Sequence, residues 1–145
     1  MNRRSVNKLI LEAVDLLGVP YIWGGNDPAL DDGLDCSGFI GYIFRQIGYL
    51  PPGFDRTAQG YHRLWRRYPA EAPERGCVAF YGRNVTRITH IMLIVAPGYT
   101  IGAVRGNKWT DTVEKARAKS ARVDSRPLRY RGDLVAVVNP FLKEV

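Results

Sequence analysis

Cys36 lies in the stretch LDCSGFI, after an acid and a glycine-rich loop and at the head of an apolar segment with helical spacing. A thiol in the first turn of a helix meets orphan backbone N–H groups and the positive end of the helix dipole, both of which favour a thiolate. Cys36 therefore reads as a nucleophile rather than as a small buried side chain. The other cysteine, Cys77, lies in the branched and aromatic run CVAFY and reads as a packing residue. Pairing the two would consume the nucleophile, so both thiols are expected to be free. A cysteine nucleophile needs a base, and the chain offers two histidines. His62 falls in a helical stretch beside Arg63, Arg66 and Arg67, which suits a surface position. His90 opens a strand and shares its face with Met92 and Ile94, where an imidazole is held rigidly, so it is the expected base.

Metal chemistry is not expected. Two cysteines and two histidines without a CxxC spacing cannot supply a four-ligand zinc site. The acids Asp27, Asp31, Asp32 and Asp35 miss the alternate spacing of an EF-hand loop. No cofactor motif is present either. Glycines 24, 25, 33 and 38 surround the thiol in sequence and are expected to let a substrate backbone approach closely.

These residues need elements to hold them. Leu9, Ile10, Ala13, Leu16 and Leu17 recur at helical spacing, with Ser5 near the start and Gly18 and Pro20 at the end, which predicts a first helix. Residues 21–35 read as an irregular polar loop. Phe39, Ile40, Ile43 and Ile47 predict a helix from Cys36 to about Gly48, and a third is expected over residues 57–68. The period then changes. Residues 77–81, 90–96, 99–104 and 133–138 predict short strands, with a hairpin at Pro97-Gly98 and a short helix over residues 111–120. Helices followed by an antiparallel sheet predict an α+β fold, with N-terminal helices packed on a central antiparallel β-sheet in one domain spanning residues 1–145.

The formal charge is +7, and residues 115–131 carry seven basic side chains against the single acid Asp124. Such a face favours a polyanion such as cell-wall polymer. Nucleic acid is not the expected partner, because aromatics are not interleaved with the basic run as stacking platforms. The basic start followed by apolar residues imitates a secretory signal, but Glu12 and Asp15 interrupt it, so the expectation is no signal peptide, no transmembrane segment and cytoplasmic synthesis. The sequence gives no indication of oligomeric state.

PYIWGG (residues 20–25), DCSGF (35–39), RTAQG (56–60), GCVAFY (76–81) and THIMLIV (89–95), in this order, resemble the NlpC/P60 family of papain-like cysteine peptidases. The resemblance implies a papain-like NlpC/P60 fold, Cys36 as nucleophile, His90 as general base, and Tyr21 beside the oxyanion with the Cys36 N–H. It implies that Asp35 and Ser37 receive the free amino group of a substrate, with packing for Tyr21 and helix capping for Ser37 as the alternatives. It also implies a peptidoglycan endopeptidase that cuts stem peptides at the γ-D-glutamyl–diamino acid bond through a thiol acyl-enzyme. An enzyme of this size would act on the wall after lysis-type release, as an endolysin does, or as a phage tail component. One position departs from the family: the strand residue that orients the imidazole is here Gly102. A backbone carbonyl at Gly102, a water or Asn107 would have to take that role. Two other readings stay open: a cysteine amidase or acyltransferase, and a catalytically weak wall-binding or phage tail or assembly subunit.

Overall fold

A computed structural model of the chain describes residues 3–144. The elements in order are α1 (Arg3–Asp15), β1 (Asn26–Asp27), α2 (Pro28–Asp31), β2 (Gly33–Leu34), α3 (Cys36–Gln46), α4 (Ala58–Trp65), β3 (Val78–Gly82), β4 (Ile88–Ala96), β5 (Tyr99–Val104), α5 (Val113–Ala118), β6 (Arg122–Pro127), β7 (Leu134–Val138) and a 3₁₀ turn over Pro140–Glu144. The five long strands form one antiparallel sheet in the order β6-β5-β4-β3-β7. The helices pack on one face of it, as an α+β fold requires.

The helix-side core follows from side-chain periodicity. α1 buries Val6, Leu9 and Ala13 on one stripe while Leu11 and Val14 stay exposed. α3 buries Phe39, Ile40, Ile43 and Phe44 completely, and these meet Val78 and Phe80 of β3, Ile91 and Leu93 of β4, and Ile101 and Ala103 of β5. Residues of opposite parity form a second core on the other face: Cys77, Ala79, Tyr81, Met92, Ile94, Val104 and Leu128, with Tyr130 packed against them. Cys77 is free and buried there, as its setting in a branched and aromatic strand predicts.

Three expectations need correction. His62, expected at the surface, is 7% exposed and stands edge-on to Phe80. The basic run contains an unexpected strand, β6, which pairs with β5 from Tyr99↔Pro127 to Val104↔Arg122. It is a sheet edge, and its residues alternate between exposed charge and a few buried contacts rather than forming an apolar run. Residues 21–35 are also ordered, as a two-strand ribbon enclosing one helical turn. Their acids accept from backbone donors: Asp27 Oδ1 takes the N–H groups of Ala29 and Leu30, and Asp31 Oδ2 those of Asn26 and Asp27. This capping explains the acid-rich composition. Among the described residues, no group of three or more His, Cys, Asp and Glu is placed to hold a metal, and no helix is long and apolar enough to cross a membrane.

Three of the four glycines near the thiol do something other than expected. A Cβ on Gly38 would lie 1.9 Å from the Gly25 carbonyl oxygen, and one on Gly25 would lie 2.3 Å from the Gly33 oxygen. Glycines 25, 33 and 38 let the chain's own backbone pass at contact distance, seating the loop on the first turn of α3, whereas Gly24 has open space around it on the wall of a cleft. Gly38→Ala is therefore expected to destabilise the protein by roughly 1–3 kcal/mol, since backbone cannot swing aside as a side chain can. Gly98→Ala, where nothing lies within 4 Å, should be neutral or slightly stabilising. Urea midpoints of the two variants test this, and equal midpoints would contradict the packing.

Candidate active site

Cys36 is the first residue of α3, and its position is set by Asp35 as the N-cap. The Asp35 Oδ1 accepts from Gly38 N at 2.7 Å and from the Ser37 hydroxyl at 3.3 Å, and Oδ2 accepts from Gly24 N at 3.0 Å. The cap is thus Asp35, and Ser37 binds the cap rather than acting as one. The backbone N–H groups of Ser37, Cys36 itself and Ile91 of β4 lie near the Cys36 thiol and favour its charged form.

His90 reaches the same place from the sheet. Ile91 belongs to the helix-side core, so strand alternation sends His90 to the opposite face, where its ring lies 5.7 Å from that of Tyr81. At the end of β4 the two faces meet in a cleft of about 330 Å³. Its lining includes Tyr21, Cys36, Thr89, His90, Tyr130 and Arg131. Tyr21 is 6% exposed, and its ring lies flat against Gly106. Its backbone is pinned by bonding to the Ala121 carbonyl and by bridging to Leu34. Cys36, His90 and Tyr21 are therefore brought together, although they come from a helix start, a strand and a loop.

Asp35 and Ser37 face a second cleft, shared with Gly24, Asn26, Asp55, Arg56 and Arg63. Asn107 is occupied elsewhere: its side-chain oxygen accepts from Trp109 N at 2.8 Å in a local turn. At Gly102 the slot is full, since a Cβ there would lie 2.4 Å from Met92 Sδ. Nothing in the sequence marked the group that does bond the imidazole, Tyr130. Its hydroxyl lies 2.9 Å from His90 Nε2. Tyr130 follows β6 in a turn between Arg129 and Arg131, and read as sequence it is one aromatic within a charged face. The basic run is also more compensated than its composition suggests: Lys115 pairs with Asp111, Arg122 and Arg126 with Asp124, and Arg131 with Asp133.

Burial works against the stabilisation that a helix start gives a thiolate. Burial pushes the Cys36 thiol up to about 12, the Asp35 carboxylate adds to this, and the three N–H groups offset only part of it. Burial lowers His90 from its ordinary 6.5 to about 3, Arg131 lowers it further, and Asp133 partly opposes. Tyr21 lies above the usual phenol range, through burial first and then Cys36 and Asp35, so it remains a donor. At neutral pH the cleft holds a neutral thiol, a neutral imidazole able to accept a proton, and a phenol able to donate a hydrogen bond.

The lowered His90 has a consequence for stability. Between about pH 3 and 6.5 the unfolded chain binds a proton at this residue and the folded chain does not, so stability is lost as pH falls through that window. Wild type should therefore lose more stability between about pH 7 and pH 4.5 than His90→Gln does, as read from urea midpoints. An equal loss in the two proteins would mean that His90 is not held neutral.

A sequence model of the NlpC/P60 family matches residues 18–126, which contain every residue of the cleft except Tyr130 and Arg131. The chain is 30% identical over 111 residues to the peptidoglycan endopeptidase RipA of Mycobacterium tuberculosis, covering 70% of this chain and 22% of that protein. It is 32% identical over 105 residues to the gamma-DL-glutamyl hydrolase of Bacillus subtilis, covering 70% of this chain and 24% of that protein. The chain thus spans about a quarter or less of the length of these relatives. Among solved structures it is similar to the peptidoglycan hydrolase RipB of Mycobacterium tuberculosis, at 28% identity and a TM-score of 0.66, covering 94% of this chain and 64% of that one. With three quarters of its residues matched by the family, and the same mixed architecture in a solved relative, the chain belongs to the NlpC/P60 family.

Proposed function

We propose that this chain is a cysteine endopeptidase that cuts peptidoglycan stem peptides at the γ-D-glutamyl–diamino acid bond. The observation that carries the reading is the convergence of Cys36, His90 and Tyr21 on one cleft, each from a different element. The substrate class is supported by relatives named as peptidoglycan endopeptidase and gamma-DL-glutamyl hydrolase.

The chemistry follows from the protonation states. Cys36 Sγ attacks the scissile carbonyl carbon while His90 takes the thiol proton, so charge appears only as the new C–S bond forms. The carbonyl oxygen becomes an oxyanion, placed to receive hydrogen bonds from the Tyr21 hydroxyl and the Cys36 backbone N–H. Collapse breaks the C–N bond, and His90 returns its proton to the departing amine, leaving a thioester on Cys36. Water then attacks the thioester, with His90 as base, releasing the D-glutamyl γ-carboxylate and restoring the thiol. The second cleft, with Asp35, Ser37 and Asp55 among its walls, suits the free amino terminus of a short stem peptide, because a carboxylate beside it compensates an ammonium group.

Digestion of purified muropeptides, with products identified by mass, tests the reading. Wild type should yield a free diamino-acid amine and a free γ-carboxylate. Cys36→Ala should lose at least ~10³-fold in rate, and Tyr21→Phe about 10²-fold in kcat, the cost of removing one oxyanion donor. Unchanged cleavage by Cys36→Ala would exclude the thiol mechanism. Transfer products without a new stem-peptide amine would point to an acyltransferase instead.

A further inference from the structure

We infer that Tyr130 is the positioning residue for His90, holding the imidazole from a turn of the opposite sheet face in the place where a strand residue at 102 would otherwise act. The inference deepens the peptidase reading above and rests on it for its catalytic meaning.

The strand position offers no side chain for the role. The pairs Leu93↔Ile101 and Ile94↔Thr100 continue to set Gly102 opposite Met92, on the face that also carries His90. Met92 Sδ occupies the space that a side chain at 102 would need. A strand-borne orienter would have to move this thioether aside, and at 102 the chain has glycine.

Tyr130 meets the requirements of the role. Its hydroxyl is within hydrogen-bond reach of Nε2, at 2.9 Å, which leaves Nδ1 as the ring nitrogen available to the thiol. Its ring packs edge-on against Tyr81, with centroids 5.8 Å apart, so the phenol is not free to swing. The turn that carries it is tied down on both sides. The Tyr81 hydroxyl donates to the Leu128 carbonyl at 2.6 Å, and Leu128 N donates to the Gly98 carbonyl at 2.9 Å. Beyond it, Arg131 forms a two-point pair with Asp133, Nε to Oδ1 at 2.9 Å and Nη2 to Oδ2 at 2.6 Å.

The proposed reaction requires one direction of this hydrogen bond: Nδ1 must be bare to take the proton of Cys36, so Nε2 carries the ring proton. The phenol oxygen, 2.9 Å away, is then the acceptor of Nε2–H. A phenol held as acceptor thus performs for His90 what a carboxylate or amide oxygen performs in other triads.

Two measurements test this. Nitrogen-15 NMR of the uniformly labelled wild-type protein, with His62→Gln used to assign the two histidines, should show His90 with its proton on Nε2 at neutral pH. Tyr130→Phe keeps the ring and removes only the hydroxyl. It should lower kcat on muropeptides by about 10- to 100-fold with KM changed less than about 2-fold, and should release the tautomer preference. A wild-type His90 protonated on Nδ1 overturns the inference. So does a Tyr130→Phe variant that keeps kcat, or one that loses kcat with the tautomer unchanged. If neither protein cleaves muropeptides, the peptidase reading fails, and the wild-type tautomer still decides whether Tyr130 positions the imidazole.

Discussion

The site depends on one carboxylate. Asp35 uses one oxygen to cap α3 at Gly38 N and the other to hold Gly24 N of the preceding loop. Capping of this kind contributes about 0.5–2 kcal/mol to a helix, but its larger effect here is geometric. It makes Cys36 the first residue of a fixed turn instead of a frayed one, and it ties the segment bearing Tyr21 to the same turn. The glycine contacts at 25, 33 and 38 are the steric counterpart, since the loop reaches the carboxylate only because no Cβ intervenes. The same interaction carries a cost: a carboxylate beside the thiol opposes its ionisation.

Magnitudes explain why the helix terminus does not produce a resting thiolate. A helix end contributes about 0.3–1 kcal/mol to a nearby charge, and up to about 2 in favourable partly buried geometry. Desolvation of a buried ionisable group shifts its pKa by up to about 3–5 units, each worth about 1.4 kcal/mol. Burial by β4 and the loop outweighs the dipole, and Asp35 adds to burial. His90 is subject to the same desolvation in the opposite chemical sense, so both partners rest neutral. The N–H groups around Cys36 and the phenol of Tyr21 then act where charge appears, during attack, when their donors are already in place.

What could be read from the sequence divides along the same physical line. α3 and β4 carry dense apolar periodicity, so Cys36 at a helix start and His90 on a strand were both legible, as was the hairpin between β4 and β5. β6 was not, because an edge strand with one wet face alternates in charge rather than in hydrophobicity, and RVDSRP shows too few apolar residues to register. Tyr130 was hidden for a related reason. Its partner is 40 residues away in sequence, and the flanking arginines gave the segment the composition of a solvated face. The acids at 27, 31 and 35 were visible as a cluster. That they serve backbone donors became clear only once the loop's turns were fixed.

The missing strand residue at 102 and the presence of Tyr130 are one arrangement. With glycine at 102, Met92 lies across the strand and completes the second core with Tyr81, Ile94 and Leu128. That apolar layer supports the turn bearing Tyr130 and excludes water from the far side of the imidazole, which lowers the basicity of His90 and strengthens its hydrogen bond to the phenol. A polar side chain at 102 would have to displace the thioether from this layer. The turn is held by backbone acceptors at Gly98 and Leu128 and by the Arg131–Asp133 pair, so it can present a hydroxyl to Nε2 with the constancy of a strand. The role of orienting His90 has thus moved across the sheet face, from a position beside the histidine to one above it, and the packing that fills the first position is what makes the second rigid.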